Sequence, residues 1–419
     1  MRNADAPTLH SGRNTGASRV ILALAAIMLL LVAPPAPLRA DEAHLHDSPP
    51  SQLPTEGKAL FEQRGCGGCH NVWGAAGERR AGPDLGRDGN WHDLMQFAGS
   101  LWNHTPAMFR TMRERQVERP SLSADDMGKL TAYLLYIKFL GDPGDVERGR
   151  AVFEQRLCAR CHQLRGRGGT VGPRLDELSD YASSFFMARA LWNHGPEMAA
   201  KMAELKLERP RLEGDEVADI VAFIRGEART AAAVEFAYAQ AGSPLAGKAV
   251  FHDRGCIKCH AIVGTGGTTG PDLGKLDASY TAAGLAGALW NHGPPMWAKM
   301  KELGVPFPRL TDREMADLLA YLYFVQYAGD GGNAARGEGL FRDKSCARCH
   351  AAGSEGPKVG ADLVKADALR SPVRWANAMW NHAAAVAQKT HETQSNWPRF
   401  DDDEMRDLVA FLRSRAGSK

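Results

Sequence analysis

The strongest hydrophobic periodicity in the 419-residue chain falls in four segments: DDMGKLTAYLLYIKF from position 125, DEVADIVAFIR from 215, REMADLLAYLYFVQY from 313 and DEMRDLVAFLR from 403. Apolar residues recur there three and four apart, which lines one face of an α-helix. Upstream of each lies a shorter amphipathic segment opened by glycine: EGKALFEQRG, ERGRAVFEQRL, LAGKAVFHDRG and ARGEGLFRDKS, with Phe61, Phe153, Phe251 and Phe341 at matching places. Each Phe is expected to pack on the final helix of its own repeat. Between the two comes a third helix with a recurring signature, LWNHTPAM at 101, LWNHGPEM at 191, LWNHGPPM at 289 and MWNHAAAV at 379, followed by a loop with Pro120, Pro210, Pro308 or Pro398. The pattern predicts four copies of one all-α unit.

All eight cysteines fall in one motif, CGGCH (66 to 70), CARCH (158 to 162), CIKCH (256 to 260) and CARCH (346 to 350). Two thiols two residues apart can add to the two vinyl groups of one haem, and the adjoining His then reaches the iron. Structural zinc needs four close ligands, whereas successive pairs here begin 92, 98 and 90 residues apart. Four haem c groups are therefore expected, on Cys66 and Cys69, Cys158 and Cys161, Cys256 and Cys259, and Cys346 and Cys349. His70, His162, His260 and His350 are the proximal iron ligands.

With 44% apolar and 24% charged residues, the composition is that of a soluble globular protein. The first 40 residues read as a signal peptide: Arg2, Arg13 and Arg19 precede an apolar run from Val20 to Ala33, then PPAPLRA. Cleavage near Ala40 and a periplasmic or otherwise exported location are expected. An uncleaved N-terminus that anchors the chain to a membrane is the alternative, although the run is short for a span. Removing four Arg and one Asp with that segment turns the formal charge of +2 into 47 basic against 48 acidic groups. Haem propionates make the balance more acidic still, so nucleic acid is not an expected partner.

With these motifs in place, each repeat resembles a class I cytochrome c domain, over about residues 54 to 416. The resemblance implies a small all-helical fold in which first and last helices cross beside the haem. It also implies that the loops AGPDL (81 to 85), VGPRL (171 to 175), TGPDL (269 to 273) and VGADL (359 to 363) offer a backbone carbonyl to Nδ1 of the proximal His, from Pro83, Pro173, Pro271 and Ala361. Compact relatives carry a distal Met in a Met-Pro step before the last helix. Here Arg119, Arg209, Phe307 and Trp397 stand before that Pro, and none of them suits iron.

Two residue types remain for the distal position. The favoured set is His104, His194, His292 and His382, which lie 34, 32, 32 and 32 residues after their proximal His. The alternative set is Met108, Met198 and Met296, or Met112, Met202 and Met300, four and eight residues further on. The fourth repeat has Val386 and Thr390 there. Pro106, Pro196 and Pro294 disfavour helical dihedrals in the preceding residue, so a helix break is expected that turns the His inward. Trp102, Trp192, Trp290 and Trp380 are expected to pack against porphyrin, with the neighbouring Asn as an orienter or helix cap.

Haem iron with two protein ligands passes electrons rather than binding oxygen or peroxide. The expected function is an exported tetrahaem electron-transfer protein, not an enzyme, with redox proteins or a respiratory complex as donor and acceptor. A multihaem peroxidase or reductase with one five-coordinate haem, and a haem-bearing docking subunit, are the alternatives. Expected domains are 54–141, 142–228, 244–330 and 331–419, with an Ala-rich helical linker at 229–243. The short GDPGD (141 to 145) and GDGGN (329 to 333) connections suggest that repeat 1 pairs with 2, and 3 with 4. The mature protein should weigh four haem units more than the chain cleaved near residue 40, as mass spectrometry would show; a smaller excess contradicts the repeat reading.

Overall fold

The computed structural model describes residues 52–74, 78, 80–89, 91, 93–176, 183–227, 241–276, 280–328, 331–353, 360–401 and 403–416. The expected signal peptide lies outside these residues, as does most of the expected linker. Each repeat contributes three helices. They are α1 (Leu53–Gln63), α2 (Leu94–Glu114) and α3 (Ala124–Leu140); α4 (Val146–Gln155), α5 (Ser184–Glu204) and α6 (Glu216–Glu227); α7 (Pro244–Asp253), α8 (Ala282–Glu302) and α9 (Asp312–Phe324); α10 (Ala334–Asp343), α11 (Pro372–Glu392) and α12 (Glu404–Ala416). Two antiparallel pairs, Gln163–Leu164 with Arg167–Gly168 and Ala261–Ile262 with Thr265–Gly266, are the only strands among the described residues. The fold is all-α.

First and last helices of a repeat cross in near contact, and glycine makes that possible. A Cβ on Gly57, Gly149, Gly247 or Gly337 would lie 1.9 to 2.0 Å from the carbonyl oxygen of Lys129, Asp219, Asp317 or Asp407 on the last helix. No other residue fits so close an approach. One turn further on, the conserved-in-place aromatic seals the crossing: Phe61 lies 5.5 Å from Tyr133, Phe153 5.6 Å from Phe223, Phe251 5.8 Å from Tyr321 and Phe341 5.7 Å from Phe411, between ring centroids. Capping boxes at Ser123 and Thr311 start α3 and α9.

The signature helices α2, α5, α8 and α11 are unbroken, 21 residues each, with Pro106, Pro196, Pro294 and Pro295 inside them. This corrects the expected break. Proline removes only its own N–H from the helix ladder, and tertiary contacts can take up the freed carbonyl. Pro294 frees the carbonyl of Trp290, which accepts a hydrogen bond from the Arg209 guanidinium of another repeat.

The repeats do not pair in chain order. Helix α2 packs on α11 and α5 on α8, so repeat 1 joins repeat 4 and repeat 2 joins repeat 3. The Trp-Asn of each signature makes the joint. Trp192 Nε1–H donates to the Pro308 carbonyl (2.8 Å), and Asn193 both donates to the Leu310 carbonyl (2.7 Å) and accepts from its N–H (3.0 Å). Trp290 and Asn291 return the same three bonds to Pro210 and Leu212. The outer pair repeats the device, with Trp102 and Asn103 on Pro398 and Phe400, and Trp380 and Asn381 on Pro120 and Leu122.

The residue before each loop proline completes the joint. Trp102 stacks on Trp397 (4.2 Å between centroids) and Trp192 on Phe307 (5.1 Å), while Arg209 lies 3.5 Å over Trp290 and Arg119 6.0 Å over Trp380. The Asn is not a helix cap: its side chain, like the Trp indole N–H, serves the neighbouring repeat, where it satisfies a backbone N–H and C=O. The two pairs meet at Phe139, fully buried against Phe185 of repeat 2 (5.4 Å) and Tyr323 of repeat 3 (4.6 Å).

Replacing Asn193 by Leu strands the N–H and C=O of Leu310, at roughly 1–3 kcal/mol for each unsatisfied group. Thermal unfolding of Asn193→Leu should therefore show a loss of about 2 kcal/mol or more, against less than about 0.5 kcal/mol for the exposed control Lys206→Ala. Equal behaviour of the two variants would remove the Asn from the joint.

Candidate functional site

Each Cys motif opens with a chain reversal. The residue before the first Cys is left-handed, at Gly65, Leu157, Gly255 and Ser345 with φ of 64 to 79°, and this swings the chain out of the first helix into a 3₁₀ turn. The turn closes when the His N–H donates to the first Cys carbonyl at 2.9 to 3.0 Å, in all four repeats. Both thiols and the imidazole thus share one turn. None of the eight cysteines is in a disulfide. Burial raises the Cys66 thiol, and carries Cys256 and Cys346 to about 11 and Cys158 to about 12. Those four are neutral thiols at physiological pH, unlike the low-pKa thiolate of a disulfide oxidoreductase.

The loop after each motif fixes the ring. Nδ1–H of His70, His162 and His260 donates to the carbonyl of Pro83, Pro173 and Pro271 at 3.0 Å, and that of His350 to Ala361 at 2.9 Å. A carbonyl only accepts, so the proton belongs on Nδ1 and the Nε2 lone pair is left for a metal. The loop lies nearly flush with the ring, since a Cβ on Gly82, Gly172, Gly270 or Gly360 would sit 2.4 to 2.7 Å from an imidazole atom. In repeats 1, 3 and 4 the loop is held by an aspartate that the sequence reading passed over. Asp272 accepts from the N–H groups of Val263, Gly264 and Gly274, and Asp362 from Gly353 and Val364. Asp84 accepts from Gly74, Trp73 and Gly86; partial burial opposes its ionisation, yet these bonds hold its carboxyl below the usual range. Repeat 2 has Arg174 at this position.

The signature histidines His104, His194, His292 and His382 are exposed. In repeat 4 the rings of His350 and His382 come together with centroids 5.9 Å apart and planes at 69°. Two metal–imidazole bonds of about 2 Å, with the ring radii, span roughly 6 Å. Although the side chain is exposed, partial desolvation by its neighbours lowers the pKa of His382, and the nearby His350 lowers it further. In repeat 1, burial likewise lowers His70 against the opposing Pro83 bond, with His104 close enough to add to the shift. By contrast Met108, Met112, Met198, Met296 and Met300 pack against the apolar core, and Met202 is half-buried. The thiol pair, the oriented proximal ring and the opposed second ring together fit a covalently attached haem.

Comparison with known families gives the same unit four times: the family model for Cytochrome c matches residues 54–138, 146–227, 245–325 and 334–416. No curated protein and no solved structure matches the chain.

A methyl group at Gly172 must displace the His162 ring, while one at Gly68 meets nothing within 4 Å. Gly172→Ala should shift one haem of four toward high spin, or lose it, in absorption and haem-content measurements, and Gly68→Ala should leave four. An unchanged Gly172→Ala spectrum would show that the loop does not set the ring.

Proposed function

Because the chain belongs to the cytochrome c family, in four tandem copies, we propose that it is an exported electron carrier whose irons are each held between two histidines. The pairs are His70 with His104, His162 with His194, His260 with His292 and His350 with His382. Bound haem supplies a reversible one-electron iron couple. The observation that carries the reading is the approach of the His350 and His382 rings to 5.9 Å between centroids, in the one repeat whose Met positions hold Val386 and Thr390.

The protein's own residues prepare the sites. The carbonyl loops orient the proximal rings, and the Trp-Asn joint fixes each signature helix so that the following His has one direction to point. That joint arranges the four sites as two spatial pairs, 1 with 4 and 2 with 3, bridged through Phe139. His104, His194, His292 and His382, together with the proximal histidines, would leave a bound iron no position for peroxide or oxygen, which favours electron transfer over catalysis. Export is supported by the basic and then apolar N-terminal 40 residues. Redox proteins or a respiratory complex outside the cytoplasm are the donor and acceptor this reading requires.

His382→Ala should make one haem high-spin and able to bind carbon monoxide in the ferrous state, whereas Met198→Ala and Met202→Ala should leave all four low-spin. Ferrous wild type should not bind carbon monoxide. A carbon-monoxide-binding haem in the wild type would favour the enzyme alternative, and a low-spin His382→Ala would overturn the ligand assignment.

A further inference from the structure

Although the four sites are built alike, one carries a group the others lack. His194 Nδ1 lies 3.3 Å from Oε2 of Glu197, three residues on along α5. The matching positions are Ala107, Pro295 and Ala385, so the other signature histidines have no carboxylate there. Glu197 is itself fixed from the neighbouring repeat, since Oε1 accepts a 2.8 Å bond from the Arg309 guanidinium. Arg309 directly follows Pro308, whose carbonyl takes the Trp192 indole N–H. The joint between repeats 2 and 3 therefore delivers the arginine.

We propose that Glu197 is a positioning residue that, through His194, lowers the reduction potential of the second haem. The inference rests on His194 as a ligand of that haem. A carboxylate accepts only, so the proton sits on Nδ1 of His194 and the Nε2 lone pair is left free for a metal. The proximal rings donate to neutral carbonyls; a charged acceptor draws the Nδ1 proton more strongly and makes Nε2 a better donor. A stronger donor stabilises ferric over ferrous iron. Among the described residues repeat 2 alone has this lever, which separates its iron from the other three.

Full-length holoprotein serves for the test, as wild type, Glu197→Ala, Glu197→Gln and Ala107→Glu, by potentiometric titration and by electron paramagnetic resonance of the ferric state. Glu197→Ala should raise one of the four midpoints and move one low-spin signal, Glu197→Gln should do the same by less, and Ala107→Glu should lower a different midpoint. Four unchanged midpoints in Glu197→Ala would overturn the proposal. So would a shifted midpoint with an unmoved signal, which marks a through-space field in place of a changed ligand. His194→Ala separates the two levels: if it gives one high-spin haem while Glu197→Ala changes nothing, only this proposal falls, and if all four stay low-spin, the ligand reading falls with it.

Discussion

The architecture depends on one polar interaction, the Asn side chain that pairs with both backbone groups of a single residue in another repeat. Asn103, Asn193, Asn291 and Asn381 each accept from an N–H and donate to the C=O of Phe400, Leu310, Leu212 and Leu122. Loss of the Asn strands buried backbone groups, so the pairing has a narrow geometry and a high cost of failure; at Leu122 the carbonyl also accepts from Asn377 (2.8 Å). It sets which helices cross and where. The residues after the His, Thr105, Gly195, Gly293 and Ala383, are all buried at these crossings. Trp-Asn-His is thus a joint followed directly by the proposed iron ligand.

The joint also selects its partner. Repeats 1 and 2 place Arg119 and Arg209 before the loop proline, while repeats 3 and 4 place Phe307 and Trp397. Each observed pair combines one guanidinium platform with one aromatic platform for the opposing indoles. Aromatic stacking and cation–π contact each contribute on the order of 1 kcal/mol. The last helices α3 and α9, of repeats 1 and 3, then join the two pairs through Phe139 and Tyr323.

What lies within a repeat was legible because its signals are local. The helix periods, the Cys-His turn and the Phe on the last helix are all set by residues close in sequence or by a contact that recurs four times. Glycine before Phe61, Phe153, Phe251 and Phe341 marked the helix crossing. Contacts between repeats were not legible, since nothing in Trp192 says that its acceptor is Pro308, 116 residues away. The short GDPGD and GDGGN connections pointed to neighbours in the chain, but a linker limits distance without choosing a surface. Arg119, Arg209, Phe307 and Trp397 were noticed only as residues unfit for iron; the change from Arg in the first two repeats to an aromatic residue in the last two was the available sign of cross-pairing. Glu197 occurs in one copy, so comparison between repeats could not reveal it.

The central claim is that the signature ends in an iron ligand while its first two residues hold another repeat. The most direct measurement is the near-infrared charge-transfer spectrum of the fully ferric wild-type protein, recorded by magnetic circular dichroism with haem content fixed at four. The account predicts bands of bis-imidazole iron alone, with an intensity that corresponds to four sites. A band of sulfur-ligated iron at the intensity of three sites, leaving only the Met-less fourth repeat bis-imidazole, would contradict it.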